Sequence, residues 1–246
     1  MTANKQERIY GRNSLLEVLH ANRRPVYHIR IAEGASLRGS LLRITELADK
    51  ADITVERVPR KNLDEESRHH QGVAASVGAY PYTDLETILA HSKEKTDAPS
   101  LLLLDRIQDP QNLGALLRSA EVFGVQGVVL PLRRAVGVTQ VVLRASAGAS
   151  EHLFIARQNL ALAIRVLKDK GFWIAGLEND PAAIPLDEFD YDGPIALVVG
   201  NEGEGLGRLV RASCDYLIKI PIIGRVESLN ASVAGSIAMF SLSRRP

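Results

Sequence analysis

Residues 197–234, LVVGNEGEGLGRLVRASCDYLIKIPIIGRVESLNASVA, constrain this chain more than any other stretch. They contain two short apolar runs, 197–199 and 217–223, each closed by a polar turn that contains glycine. Short β-branched runs bounded by glycine read as buried strands. Open α/β sheets collect their ligands at the carboxyl ends of strands, so two such turns predict a site. Glycine lets a backbone approach a ligand closely and adopt positive φ. Between and within the turns stand a carboxylate (Glu202), a hydroxyl (Ser228) and an amide (Asn230). A few polar groups beside an apolar sheet are what a small-molecule site requires.

Gly203, Gly205 and Gly207 form G-x-G-x-G, a pattern close to the nucleotide loops of dinucleotide enzymes and Rossmann-type methyltransferases. Arg208 stands where the dinucleotide fingerprint has glycine, and Asn201 stands where the methyltransferase loop has an acid. Such loops also follow the first strand of their sheet. Here only 39 residues remain after Gly207, so the cluster closes a domain rather than opening one.

The 246 residues suffice for one large domain or two modest ones. With 46% hydrophobic and 24% charged residues, the balance is that of a soluble globular protein. No apolar run approaches a membrane span, and MTANKQERIY lacks the apolar core of a signal peptide. A single cysteine, Cys214, excludes an internal disulfide framework and fits a reducing compartment, which predicts the cytoplasm. The histidines show no metal-ligand spacing with it, so no metal site is expected. Net charge is +1, but residues 1–82 carry 13 Lys+Arg against 10 Asp+Glu, a mild basic bias consistent with RNA contact.

Along the chain, short helices and strands alternate over residues 1–82, enough for a small α/β domain. Arg23-Arg24, Arg60-Lys61 and Arg68-His69-His70-Gln71 fall at its loop ends, as solvated surface or as phosphate contacts. Residues 83–92 predict a short helix and 92–99 a polar stretch ending in proline, so 83–98 reads as a linker. From Ser100 onward the elements lengthen. Strands alternating with helices imply a mostly parallel sheet covered on both faces. Asn112 reads as the cap of a helix ending at Gly124. The last helix, 229–242, carries no charge, which predicts burial on most sides and, as the economical explanation, a homodimer interface.

Three segments together resemble a known pattern: N-x-G-x-x-x-R-S-A at 112–120, G-N-E-G-E-G at 200–205, and I-P-I-x-G-x-V-x-S-L-N-A-S-V-A at 220–234. In order and spacing they are similar to the SpoU family of RNA ribose 2′-O-methyltransferases, within the trefoil-knotted SPOUT superfamily. Y-G-R-N-S-L-L-E-V-L (10–19) and H-Q-G-V-A-A (70–75) resemble the substrate-binding domain of the longer members. That domain is itself similar to small RNA-binding folds of ribosomal proteins. The resemblance is greatest to members that methylate a guanosine ribose of large-subunit ribosomal RNA. It implies three parts: an RNA-binding domain over 1–82, a linker over 83–98 and a knotted methyltransferase domain over 99–246. It also implies S-adenosylmethionine (AdoMet) as cofactor, held at Gly200, Ile220 and Leu229. The functional residues it implies are Asn112, Arg118, Glu202, Ser228 and Asn230.

Taken singly, each of these five residues has a structural reading: a helix cap, a surface ion pair with Glu121, or a carboxylate at a helix start. Their joint spacing points to chemistry instead. A methyl group leaving a sulfonium needs a well-placed ribose oxygen and an acceptor for its proton. A guanidinium stays protonated, so Arg118 suits gripping a phosphate, with Glu202, Ser228 or water left to take the proton. The alternatives are a tRNA ribose methyltransferase and a non-catalytic RNA-binding or ribosome-assembly protein on the same scaffold.

Overall fold

The computed structural model describes residues 6–244. It forms two compact units, one of Met1–Pro81 with Val138–His152 and one of Tyr82–Gly137 with Leu153–Pro246.

The first unit opens with β1 (Glu7–Tyr10), α1 (Arg12–Ala21), β2 (Val26–Ala32) and α2 (Ser40–Lys50). It continues with β3 (Val55–Val58), α3 (Arg60–Glu66) and β4 (Val73–Val77). Its sheet runs β1-β4-β2-β3, with β4 antiparallel to both neighbours and β2 parallel to β3. One face is covered by Leu15, Leu16 and Val18 of α1 and Leu41, Ile44 and Ala48 of α2. Leu63 of α3 packs with Tyr10, Ala32, Val58 and Ala74 in a second cluster.

The second unit contains α4 (Leu85–Lys95), β5 (Ser100–Leu104), α5 (Pro110–Val122) and β6 (Gly127–Leu130). The chain then passes through α6 (Gln140–Ala145), which belongs to the first unit. It returns with β7 (Ile155–Arg157), α7 (Leu160–Asp169), β8 (Trp173–Leu177), β9 (Ile184–Pro185), β10 (Ile195–Val199), α8 (Arg208–Ser213), β11 (Tyr216–Lys219) and α9 (Ala231–Ser243). The seven-stranded sheet has the order β7-β6-β5-β10-β8-β11-β9, and every pairing is parallel. β10 is buried along its whole length, as a central strand covered on both faces must be.

The expected domain boundaries shift in two places. The segment read as a linker is helical over Leu85–Lys95, capped by Asp84, whose side chain accepts from the Thr87 amide at 2.7 Å. Leu85, Ile88 and Leu89 enter the core of the second unit. Ile88 sits so close to Gly127 that a Cβ there would lie 2.3 Å from Ile88 Cγ2. The short helix expected over 83–92 is therefore present and longer, and it packs as part of the second unit instead of linking two domains.

The second shift concerns 138–152, which folds with the N-terminal unit. Leu143 joins the α1–α2 core, and Tyr80 Oη donates to the Ser150 carbonyl at 2.6 Å. Glu151, with a fully buried side chain, accepts from Arg24 Nη2 at 2.7 Å, and Arg24's side chain is only 3% exposed. Burial pushes the Glu151 carboxyl above the usual carboxylate range, against the pull of Arg24.

The last helix is buried on one face only. Ala231, Ser232, Gly235, Ala238, Met239 and Leu242 face inward. Gly235 permits close approach to α5, since a Cβ there would lie 2.5 Å from Leu116 Cδ2. Val233, Ile237 and Phe240 remain 46%, 39% and 47% exposed. The missing charges therefore mark an open apolar stripe as well as a buried face.

Breaking a buried ion pair by removing one partner costs about 3–5 kcal/mol, because the other charge stays buried. Arg24→Ala is expected to destabilise the first unit by an amount in that range, read by chemical denaturation. A loss under about 1 kcal/mol would show that the pair does not hold 138–152 in place.

Candidate active site

The register of the parallel sheet builds the site. Val199 at the end of β10 lies opposite Leu104 of β5 and Leu177 of β8, and Ile218 of β11 lies opposite the same Leu177. Four strands thus stop at one level, and the turns that leave them converge. From β5 the chain builds outward through β6 and β7, then crosses to β8 on the far side of β10. The gap between β5 and β10 is the switch point at which open α/β sheets bind ligands.

The turn after β10 is closed on itself. The Asn201 amide donates to the Gly205 carbonyl at 3.2 Å, the Gly205 amide donates back at 2.9 Å, and the Gly203 amide donates to Asn201 Oδ1 at 2.9 Å. Gly205 has φ 61°. A Cβ on Gly200 would lie 2.5 Å from the Gly205 carbonyl carbon. Glycine at 200 is thus required by the turn's own backbone, whatever a ligand also requires. Two residues that follow β5 anchor the turn from below. Asp105 Oδ2 accepts from the Gly207 amide at 2.6 Å. Arg106 bonds Glu204 and, at 3.1 Å, the Gly205 carbonyl, from a left-handed φ of 60° that is uncommon outside glycine. The sequence reading missed both. Their signal was a charged pair directly after a fully apolar strand.

Three of the expected residues meet. Glu202 Oε1 accepts from Asn112 Nδ2 and, at 2.5 Å, from Asn230 Nδ2, which also donates to Asn112 Oδ1 at 3.1 Å. Asn112 is not a cap. Asp109 caps α5 by accepting from the Gln111 amide at 3.1 Å, and Pro110 opens the helix, so the Asn112 amide is free to reach Glu202. Asn230 serves both purposes. Its Oδ1 caps α9 by accepting from the Ser232 amide at 2.9 Å, while its Nδ2 holds the carboxylate. Glu202 Oε2 has no hydrogen-bond partner among the described residues.

A cavity of about 380 Å³ opens at these turns. Gly200, Ile220 and Leu229 line it, as do Glu202 and Ser228. Two further carboxylates on its wall are paired elsewhere: Glu178 with Arg211 at 3.0 Å and Glu204 with Arg106. Glu202 is in no ion pair among the described residues. Asn179 Nδ2 donates to the Glu227 carbonyl at 2.9 Å and ties the exposed 220–230 segment to the end of β8. Arg118 is not brought here. It lies six residues beyond Asn112, which is about 9 Å along the helix and on another face. It is exposed, and among the described residues it makes no hydrogen bond or ion pair, with Glu121 or otherwise.

No group of three or more His, Cys, Asp or Glu among the described residues could hold a metal ion. None of the helices in the described residues is long and apolar enough to cross a membrane.

The parallel order, the switch point and the polar cluster beside a cavity of mixed polar and apolar lining define an α/β protein with a candidate small-molecule site at its C-terminal turns. Comparison with known proteins narrows this. The profile of the SpoU rRNA Methylase family matches residues 99–240, and that for RNA 2′-O ribose methyltransferase substrate binding matches residues 8–83. The chain belongs to the SpoU methylase family. It is 42% identical over 239 residues to YacO of Bacillus subtilis strain 168, a protein named for the TrmH family of tRNA/rRNA methyltransferases, covering 96% of this chain and 95% of that one. A protein of the same family name in Staphylococcus aureus strain MSSA476 matches with the same identity and coverage. Among solved structures, the SpoU methyltransferase AviRb from Streptomyces viridochromogenes, in complex with AdoMet, aligns with a TM-score of 0.80 at 22% identity. That alignment covers 97% of this chain and 90% of AviRb. An AdoMet-bound rRNA methyltransferase from Sinorhizobium meliloti aligns with a TM-score of 0.81 at 23% identity, covering 97% and 87%. These two likenesses establish the shared fold.

Proposed function

We propose that this protein transfers the methyl group of AdoMet to a ribose 2′-hydroxyl of RNA, and that its target is a guanosine of large-subunit ribosomal RNA. The observation that carries the reaction is the Asn112–Glu202–Asn230 cluster on the rim of the cavity. The ribosomal target rests on the match of residues 99–240 to the SpoU rRNA Methylase family, and RNA as substrate on the substrate-binding match over 8–83. The single cysteine suits a reducing compartment such as the cytoplasm.

The residues present fit the cofactor. Val199, Ile220, Ile222 and Leu229 offer apolar walls, and Gly200 beside them leaves the turn backbone open to close approach. AdoMet brings a methyl group already activated on a sulfonium. The chain must then place the ribose and accept its proton. Both carboxamides hold Glu202 through Oε1, which fixes the carboxylate and leaves Oε2 to receive the ribose hydroxyl proton. Ser228 lines the same cavity and positions the sugar from the opposite turn. The 220–230 segment, tied back to β8 through Asn179, belongs to the knot that the superfamily resemblance implies.

Arg118 keeps its charge and so acts as a grip on a phosphate. Its place outside its own cavity connects it to assembly. The neighbouring Ser119 bonds Ser236 of α9 at 2.7 Å, and the open stripe of Val233, Ile237 and Phe240 continues onto Val122 of α5, 65% exposed. Each Å² of apolar surface removed from water contributes about 25 cal/mol. A homodimer joined through this stripe covers it and carries Arg118 toward the cavity of the second copy.

Incubated with methyl-labelled AdoMet and either ribosomal RNA or tRNA, the protein is expected to place label on ribose 2′-oxygens of large-subunit RNA. Label on a base, or on tRNA alone, rejects the corresponding part of the proposal. Arg118→Ala and Glu202→Ala proteins are each expected to be inactive, and mixing them should restore up to about a quarter of the activity, through mixed dimers. Phe240→Glu added to both should abolish the restoration. No restoration on mixing means that Arg118 serves its own chain.

A further inference from the structure

The first unit has a cavity of its own, about 400 Å³, lined by Tyr10, Gly11, Asn13, Ser14, Arg68, His69, Gln71 and Arg144. Its construction is specific. His70 is buried and fixes the turn beneath it: Nδ1 accepts from the Gly72 amide at 2.8 Å, so Nε2 carries the proton and bonds Asp64 Oδ1 at 2.8 Å. Gln71 and Gly72 turn the chain with φ of 50° and 83°. Gln71 then clasps Arg12, its Oε1 accepting from the Arg12 amide at 3.0 Å and its carbonyl from Arg12 Nε at 2.9 Å. Arg68 and His69, just before this turn, both line the cavity. Arg144, from α6 in the inserted segment 138–152, lines it as well.

The charge here is uncompensated. Arg68 and Arg144 are exposed and make no ion pair among the described residues. The carboxylate next to the floor, Glu66, is already committed. It takes both Arg30 nitrogens at 2.7 Å and the Tyr10 hydroxyl at 3.0 Å, and Arg30 draws it down to about 2. Ser14, 4% exposed, also lines the cavity, and its hydroxyl makes no hydrogen bond to another described residue.

We propose that this cavity is a subsite for a ribose-phosphate unit of the RNA substrate, with Arg68 and Arg144 on the phosphate and Ser14 on the sugar. Guanidinium forks match phosphate oxygens, and the volume lies in the range of small-ligand sites. The inserted segment thereby gives the methyltransferase half of the sequence a direct hand in substrate binding. The proposal rests on the RNA reading of the function and extends it to residues outside the reaction site.

The test measures binding of a short mixed-sequence single-stranded RNA to the full-length protein at several salt concentrations, with AdoMet affinity measured alongside. Arg68→Ala and Arg144→Ala should each weaken RNA binding roughly tenfold. Each should make the dependence of log K on log salt shallower by about 0.7. AdoMet affinity should be unchanged, and Arg43→Ala, an exposed arginine on α2 outside the cavity, should match the parent. If the parent binds RNA and the double variant binds it as tightly with the same salt slope, the subsite is wrong while the RNA reading stands. An equal loss in Arg43→Ala would reduce the effect to general surface charge and also overturn it. A parent that binds no RNA overturns both. Loss of inorganic phosphate binding with RNA binding intact would assign the cavity to a small free anion instead.

Discussion

Four parallel strands that stop at one level, β5, β10, β8 and β11, are the constraint on which the site depends. Because they are parallel and in register, their C-terminal turns share one end of the sheet. Residues far apart in sequence, 112, 202 and 230, can then form one hydrogen-bonded group. The turn after β10 must pass close to its own start, and only glycine at 200 allows that. The same closure presents Glu202 at the rim, where the two amides reach it. A side chain at 200 would push the turn away from the cavity and Glu202 away from its partners, so the packing constraint and the chemistry share one residue.

The two units divide the work in a way their order in the chain does not show. The second unit holds the Asn112–Glu202–Asn230 cluster and the cavity beside it. The first carries the substrate-binding profile and a basic cavity, but it is completed by 138–152 from between β6 and β7. The buried Arg24–Glu151 pair is weak ground for net stability, since desolvation offsets most of the attraction. Its effect is to specify where the inserted segment lies, and with it the position of Arg144 and the Leu143 packing.

Much of this was legible in the sequence. Arg208, Asn201 and above all the late position of the glycine cluster argued against a conventional nucleotide loop, and three ordered motifs pointed to the family. Gly200, Ile220, Leu229, Glu202 and Ser228 all line the cavity. One misreading was local, and the others came from the loss of long-range partners in a linear reading. Asn112 looked like a cap because capping residues cluster before helices, and Asp109-Pro110 had the stronger claim. The 83–98 stretch looked like a linker because its exposed residues outnumber Leu85, Ile88 and Leu89. Segment 138–152 gave no local sign that its partner was Arg24.

The central claim is that the Asn112–Glu202–Asn230 cluster acts on the ribose proton and not on cofactor binding. Glu202→Gln keeps the size and hydrogen-bonding shape of the side chain while removing its capacity to take a proton. Single-turnover methyl transfer to RNA by this variant, with AdoMet affinity measured by calorimetry on the same preparation, tests the claim most directly. The account predicts parental AdoMet affinity with a rate lower by about 10²–10⁴-fold. A variant that transfers methyl at the parental rate, or one that loses activity only by failing to bind AdoMet, would contradict it.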